Sequence, residues 1–235
     1  AAGRVPVIAG CGSNFTEEAI SLTAHAKEIG ADASLQVTPY YNKPTQPGLY
    51  AHFKAIHDAV DLPMVIYNIP ARSVVDMTVE TMARLAELPN VVGVKDATND
   101  LARPVLAREK IGPEFSQLSG EDGTIGAFLG QGGHGIISVL SNIAPAISVS
   151  MHDAWWAGDI ATFSAVRDRL HPLARALFVE TSPAPVKYAA SLLAICEETV
   201  RLPLVGPTEA TRALVRELVA ELGLQGPAAT AKAAE

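Results

Sequence analysis

Val91-Val92-Gly93-Val94-Lys95-Asp96 is the stretch of sequence that decides the fold. It is a short apolar run, typical of a strand buried in a parallel sheet, and it ends in a lysine. A buried, unpaired ammonium is costly, so packing alone rarely places a charge there. An amine at the mouth of an apolar strand tends to lose its proton and become a nucleophile. Lys95 is therefore the first candidate for a catalytic residue.

Five further apolar runs share the features of this strand. Each is short, is bounded by turn-forming residues, and is followed by a stretch with helical periodicity. The predicted strands are 5–10, 34–38, 63–68, 91–96, 115–120 and 135–139. The later sequence carries helical patterns instead, around 148–156, 160–178, 184–195 and 208–222. Parallel strands alternating with helices predict an α/β fold whose sheet is covered on both faces.

The way in which this sheet closes is left open by the pattern. It could be a doubly wound open sheet, or a (β/α)8 TIM barrel followed by a C-terminal helical segment. No G-x-G-x-x-G follows a strand, which weakens the dinucleotide-binding form of the first. The barrel needs eight βα units, and only six are present in this chain. We predict a partial barrel over 1–146, a helical domain over 147–224 and a flexible tail over 225–235.

Composition narrows the class of protein. The 235 residues are 49% hydrophobic and carry a formal net charge of -7 with no basic block, which argues against nucleic acid as a partner. No apolar run is long enough to span a bilayer and no signal peptide is recognisable, so we expect a cytoplasmic protein without a membrane partner. The histidines lack metal-ligand spacing, and no metal or cofactor is expected. Cys11 and Cys196 are predicted to be buried free thiols.

Polar residues collect where the predicted strands end, which is where barrel enzymes place their chemistry. Tyr67 and Lys95 close consecutive strands, so the phenol should reach the amine and move its protons. Gly93 should leave room beneath the amine for a small adduct. Arg72 follows on a loop, where a guanidinium can grip a carboxylate bidentately. Each residue alone has a structural explanation, such as a snorkelling surface lysine, but together they indicate a Schiff-base site.

At these residues the sequence resembles the dihydrodipicolinate synthase (4-hydroxy-tetrahydrodipicolinate synthase) family of the N-acetylneuraminate lyase superfamily. The similarity runs from about Val5 to Leu224. The motifs that carry it are Val-Thr-Pro-Tyr-Tyr-Asn-Lys-Pro at 37–44, Tyr-Asn-Ile-Pro-Ala-Arg at 67–72, Gly-Val-Lys-Asp-Ala-Thr at 93–98, Leu-Ser-Gly-Glu-Asp at 118–122 and Gly-Gly-His-Gly-Ile-Ile-Ser-Val at 132–139.

The resemblance implies a (β/α)8 barrel with a C-terminal helical domain, assembled as a tetramer that is a dimer of dimers. It implies a class I aldolase-type lyase that condenses pyruvate with aspartate semialdehyde on the route to lysine. Family members begin with two further βα units, and the second carries threonines that complete the proton relay. The sequence lacks these units and does not begin with Met, so we expect a fragment or a natural truncation.

The resemblance also implies roles for individual residues. Lys95 matches the Schiff-base lysine, Tyr67 the tyrosine that relays its protons, and Tyr41 a tyrosine that neighbouring subunits insert into each other's sites. The implied substrate-binding residues are Arg72, Gly120 and Ile137, and the implied site for L-lysine as inhibitor contains Asn14, Glu18 and Tyr40.

Two other functions remain open at this point. The chain could be a non-catalytic family member that only binds small carboxylates. It could also be another pyruvate-dependent aldolase, acting on a 2-keto-3-deoxy sugar acid or a sialic acid. Sialic acid lyases lack an arginine at the place of Arg72, so this residue favours the synthase.

Overall fold

The structure is a computed structural model that describes residues 1–226. Contacts within the chain divide it into two compact units, Ala1–Ile137 and a second unit that begins at Ser138. All the candidate site residues lie in the first unit. The domain bounds predicted at 146 and 224 stay a prediction, and the predicted tail lies outside the described residues from 227 onward.

The first unit is built on a parallel sheet, and the predicted α/β class is confirmed. Within residues 1–226 the sheet has six strands in the order β1-β2-β3-β4-β5-β6, all parallel. They are β1 (Ile8–Gly10), β2 (Ala33–Val37), β3 (Met64–Asn68), β4 (Val91–Asp96), β5 (Ser116–Ser119) and β6 (Gly135–Ile136). The last strand is shorter than predicted, because a 3-10 turn at Leu140–Asn142 takes over soon after it.

Helices connect consecutive strands, as the pattern predicts. In the first unit they are α1 (Thr16–Glu28), α2 (Gln46–Ala59), α3 (Pro70–Ser73), α4 (Val79–Ala86), α5 (Arg103–Ile111) and α6 (Ile125–Gly130), with a 3-10 turn at Asp122–Thr124. The short α3 was not predicted. Pro70 looks like the end of β3 in the sequence, but it starts a helical turn, where its missing N–H costs nothing.

The two faces of the sheet differ in burial. The strands alternate between a helix-covered face and a half-exposed face at their carboxyl ends. Core residues from the helices, such as Leu49, Phe53 and Leu85, pack with Ile66 and Val94 on the covered face. The half-exposed face carries Leu35, Val37, Tyr67, Lys95 and Leu118. Helices therefore do not cover both faces of the sheet in this unit, and Lys95 projects from the half-exposed face.

The covered face is unexpectedly polar. Gln36 donates to Thr23 Oγ1 of α1 at 2.7 Å, and Gln117 donates to the Pro104 carbonyl of α5 at 3.0 Å. Asn68 and Asp96, also buried, bond to neighbouring segments in the same way. Buried polar side chains are tolerated when they are hydrogen-bonded, and these bonds set where each helix lies on the sheet.

The second unit is helical within its described residues. Its helices are α7 (Pro145–Trp156), α8 (Ile160–Ala176), α9 (Ala184–Leu192) and α10 (Glu209–Glu221). α8 contacts α7 and α10, with Leu173 and Val215 fully buried. Cys196 is a free thiol, as is Cys11 in the first unit, but it is exposed, so its predicted burial was wrong. None of the described helices is long and apolar enough to cross a bilayer.

Acid should destabilise the first unit through His52. This side chain is 6% exposed, and its Nδ1 lies 2.9 Å from Thr16 Oγ1. Burial lowers the pKa of His52 from 6.5 to about 4. The unfolded chain therefore takes up a proton first, so the stability is fully present above pH 6.5 and is lost as the pH falls toward 4. We expect a loss of about 2 kcal/mol in the free energy of unfolding at pH 5.

Urea unfolding at pH 7 and pH 5 measures this loss. His52→Gln, which cannot titrate, should show a smaller fall in the free energy of unfolding than the wild type. His25→Gln replaces an exposed histidine and is the matched control. Equal falls for wild type and His52→Gln would contradict the assignment.

Candidate active site

Lys95 and Tyr67 lie side by side at the carboxyl ends of β4 and β3. The strand register pairs them directly, and Lys95 Nζ is 4.1 Å from the centroid of the Tyr67 ring. The amine therefore rests over the face of the ring. No hydrogen bond joins the hydroxyl to the amine within residues 1–226, so the predicted proton relay by Tyr67 stays a prediction and would need an adduct or a water between the two groups.

Burial shapes the chemistry of both groups. It lowers the pKa of Lys95, because a charged ammonium is poorly solvated there, and the negative charge of Asp122 partly opposes this. Burial raises the pKa of Tyr67, with the charge of Arg72 opposing it. The face of the Tyr67 ring also attracts an ammonium, which favours the charged form in the same direction as Asp122. The free amine is thus more available at neutral pH than in an ordinary lysine.

Two glycines flank this lysine, and their roles differ from the sequence-based interpretation. A Cβ at Gly120 would lie 2.7 Å from Ala97 Cβ and 3.3 Å from Lys95 Cε. A Cβ at Gly93 would instead lie 2.5 Å from the Ser116 carbonyl oxygen of β5. Gly93 therefore permits close pairing of β4 with β5, and Gly120 is the glycine that leaves space beside the lysine.

Gly120→Ala should hinder the lysine without unfolding the chain. The added methyl must displace Ala97 or the Lys95 side chain, which moves the amine from its place over Tyr67. We expect roughly a tenfold slower covalent capture of a keto acid, since small displacements of a reacting group are costly. Gly123→Ala is the matched control, because its Cβ would meet only the flexible end of Glu121 at 3.3 Å. Equal capture rates in both variants would contradict this role.

A cavity of about 440 Å³ opens beside Tyr67. Its walls include Gly10, Leu35, Val37, Tyr40, Tyr67 and Arg72. Tyr67 thus connects the amine to the cavity, and the exposed Arg72 places a guanidinium at its edge. A small carboxylate-bearing ligand fits a cavity of this kind, which has apolar walls, a phenol in contact with the amine of Lys95 and a cation at Arg72.

Gly120 and Ile137 lie where the sequence places them, just past β5 and β6. Gly120 donates to the Asp96 carbonyl at 2.7 Å, and Ile137 donates to the Ser119 carbonyl at 2.9 Å. Ile137 is half-buried, at the same edge of the sheet as Lys95. Their predicted role in substrate binding stays a prediction.

Tyr41 is not brought to Lys95 within this chain. Its side chain is 88% exposed and its φ is 69°, a left-handed conformation uncommon for a tyrosine. Asn42 holds the turn by donating to the Tyr40 carbonyl at 2.8 Å. The predicted insertion of Tyr41 into a neighbouring subunit stays a prediction, and its exposure is compatible with it.

The residues of the implied lysine site lie near one another. Asn14 Nδ2 donates to the Tyr40 carbonyl at 3.3 Å. Glu18, one helical turn further, accepts a hydrogen bond from Ser13. Tyr40 also lines the cavity beside Arg72. The geometry keeps Asn14 and Tyr40 in one cluster but leaves its ligand untested.

A buried charged network lies directly behind the pair and was not predicted from the sequence. Asp96 follows Lys95 and projects to the opposite face, where Arg103 Nε donates to it at 2.8 Å. The signal for it was available, because Arg103 is the first residue of α5. A cation at a helix N-terminus is unfavourable unless a carboxylate partners it.

The sequence of this chain is similar to that of known proteins. The sequence model of the Dihydrodipicolinate synthetase family matches residues 1–222. The chain belongs to this family. A 4-hydroxy-tetrahydrodipicolinate synthase from Rhodospirillum centenum is 69% identical over 222 residues, which cover 94% of this chain and 76% of the relative.

Solved structures of dihydrodipicolinate synthases have the same fold. The chloride-inhibited enzyme of Acinetobacter baumannii, in complex with pyruvate, is 42% identical with a TM-score of 0.91, covering 95% of this chain and 77% of that one. The enzyme of Cyanidioschyzon merolae, with lysine bound, is 39% identical with a TM-score of 0.91, covering 95% and 76%. The six-stranded sheet described above is thus the dihydrodipicolinate synthase arrangement over these residues.

Proposed function

We propose that this member of the family condenses pyruvate with aspartate 4-semialdehyde to give 4-hydroxy-tetrahydrodipicolinate, the step that leads toward diaminopimelate and lysine. The observation that carries the proposal is the Lys95 amine, which lies over Tyr67 beside a cavity and whose pKa is lowered by burial. The high identity to curated synthases supports the same reaction.

The first half of the reaction forms a Schiff base. The neutral Lys95 amine attacks the keto carbon of pyruvate, and the carbinolamine that results loses water to give an iminium. Both steps need a proton moved between nitrogen and oxygen. Tyr67 is the hydroxyl-bearing residue beside the amine, and we assign this transfer to it.

The second half forms the carbon–carbon bond. Loss of a methyl proton converts the iminium to an enamine, whose carbon attacks the aldehyde of the semialdehyde. The amine of that substrate then attacks the former keto carbon, closes the ring and releases Lys95. We assign the carboxylate of the semialdehyde to Arg72, which lines the cavity, and the binding of pyruvate to Gly120, which leaves space beside Lys95, and to Ile137.

The finer features of the family belong to the same proposal. These are a (β/α)8-type barrel of which six βα units lie in this chain, a cytoplasmic location, a homotetramer in which Tyr41 reaches a neighbouring site, and inhibition by L-lysine through Asn14, Glu18 and Tyr40. The exposure of Tyr41 and the link between Asn14 and Tyr40 support the last two.

Reductive trapping tests the proposal. The protein is incubated with pyruvate and reduced with borohydride, and the modified residue is located by peptide mass spectrometry. We expect a single adduct on Lys95, together with product formation once semialdehyde is added. A folded sample that forms no adduct, or forms it elsewhere, would reject Lys95 as the Schiff-base residue. An adduct without turnover of the semialdehyde would instead favour another aldehyde partner.

A further inference from the structure

The site has a buried ion pair directly behind it that no step of the proposed reaction uses. Arg103 Nε donates to Asp96 Oδ2 at 2.8 Å, and the two side chains are 9% and 6% exposed. Asp96 Oδ1 accepts from both the backbone N–H and the hydroxyl of Thr98, at 2.9 Å and 2.6 Å. The carboxylate that follows Lys95 in β4 is therefore fully engaged.

The same guanidinium also binds a second segment. Arg103 Nη2 donates to the Met77 carbonyl at 2.8 Å, and Nη1 lies 3.7 Å from Asp76 Oδ1. Asn68, which follows Tyr67 in β3, bonds to the same two residues. Its Nδ2 donates to Asp76 Oδ1 at 2.7 Å, and its Oδ1 accepts from the Met77 N–H at 3.1 Å.

These bonds anchor the segment 69–77 where it returns to the sheet. Arg72 lies within that segment, and the Ser73 hydroxyl lies 2.9 Å and 3.0 Å from the Ile69 and Val75 carbonyls, to either of which it can donate its one proton. Val74 has a φ of 65°, which is costly for a β-branched residue and persists only when the surroundings fix it. The conformation that presents Arg72 is therefore maintained by bonds from other segments of the chain.

We propose that Arg103 is a positioning residue for Arg72. The planar guanidinium of Arg103 binds Asp96, which lies in the same strand as Lys95. It also binds the Met77 carbonyl, at the end of the segment that carries Arg72. The distance between the amine of Lys95 and the guanidinium of Arg72 is thereby fixed, and with it the size of aldehyde that bridges them. This inference rests on the proposed function, since it assumes that Arg72 receives the carboxylate of the aldehyde.

Arg103→Lys is the informative variant. A lysine keeps the positive charge beside Asp96, but a single ammonium cannot bind Asp96 and the Met77 carbonyl with the geometry of the fork. We expect the KM for the semialdehyde to rise at least about tenfold. Borohydride capture of pyruvate on Lys95 should stay within about threefold of wild type, because Asp96 remains paired.

Two further measurements separate positioning from a general loss of stability. Backbone amides of the segment 69–77 should exchange faster in Arg103→Lys while the melting temperature changes little. Adding Arg103→Lys to Arg72→Ala should raise the KM by less than about twofold, because the residue being positioned is already gone. A merely structural role would give additive effects.

Control variants keep the test decisive. Arg108→Lys, on the same helix but exposed, should behave as wild type. If Arg103→Lys does not fold, Asp76→Ala loosens the same anchor without burying an unpaired charge, since Asp76 is 53% exposed, and should also raise the KM. Additive effects, or a lowered pyruvate capture with an unchanged KM, would overturn the inference. If the wild type captures no pyruvate, the proposed function fails, and the exchange measurement alone still decides whether Arg103 anchors the segment.

Discussion

Lys95→Met should lower the rate of condensation by on the order of 10⁴-fold or more and abolish covalent capture of pyruvate. The methionine keeps the unbranched stem that packs against Tyr67 but has no nucleophile. Without the Schiff base, the enamine cannot form, and each tenfold loss corresponds to about 1.4 kcal/mol of barrier. Turnover assays and peptide mass spectrometry after borohydride reduction measure the two effects.

Stability separates this loss from unfolding. Burial lowers the pKa of Lys95, so the ammonium is less stable in the folded chain than in the unfolded one. At neutral pH the charge therefore works against folding, and Lys95→Met should be as stable as the wild type or more so. A matched surface replacement is Lys54→Met, which removes an exposed lysine paired with Asp58 and should leave capture unchanged.

The pH dependence gives an independent readout of the same residue. The rate of imine formation should rise with pH, because the free amine is the reacting form. It should level off at a pH below the ordinary pKa of a lysine, because burial lowers the pKa of Lys95. Lys95→Arg keeps a cation at the site and should be as inactive as Lys95→Met. Capture of pyruvate at the wild-type rate in either variant would contradict the assignment.

The sequence predicts the Lys95–Tyr67 contact because two simple rules meet there. Consecutive βα units place their strands side by side, and both residues close their strands, so the register had little freedom. The role of Gly93 could not be predicted in the same way. It depends on how closely Ser116 of β5 approaches, and the spacing of apolar residues in a sequence does not show which strand lies against a glycine.

The polar face of the sheet was missed for a related reason. Asn68 and Asp96 are the polar last residues of predicted strands, and an apolar run does not reveal that both are buried and bonded to residues that follow within ten positions of the chain. Arg103 at the start of α5 indicates that a carboxylate partner is needed, but only the tertiary arrangement shows that this partner is Asp96. The contact between Lys95 and Tyr67 could thus be predicted from local patterns, whereas the bonds of Asn68 and Asp96 behind them could not.

Arg72→Ala should lower kcat/KM for the semialdehyde by roughly 10²-fold, mostly through KM. Each tenfold loss corresponds to about 1.4 kcal/mol, so a 10²-fold loss is twice that amount, which is in the range of a charge-assisted bidentate pair. A larger loss is not expected because Arg72 is exposed to solvent. Capture of pyruvate on Lys95 should change less than about threefold, since the proposal assigns Arg72 to the carboxylate of the semialdehyde and not to that of pyruvate. Steady-state kinetics with each substrate varied in turn measure the split.

A substrate without the carboxylate completes the test. A short neutral aldehyde should react slowly with the wild type, and Arg72→Ala should reduce that rate by less than about twofold, because the guanidinium then has no partner to lose. Arg72→Lys retains the positive charge but not the planar guanidinium, so we expect an intermediate, roughly tenfold loss of kcat/KM for the semialdehyde. Arg201→Ala, an exposed arginine of the second unit, is the matched control. Equal losses with both aldehydes would mean that Arg72 acts on the fold and not on the carboxylate, and the choice of semialdehyde over a sugar acid would then lose its physical basis.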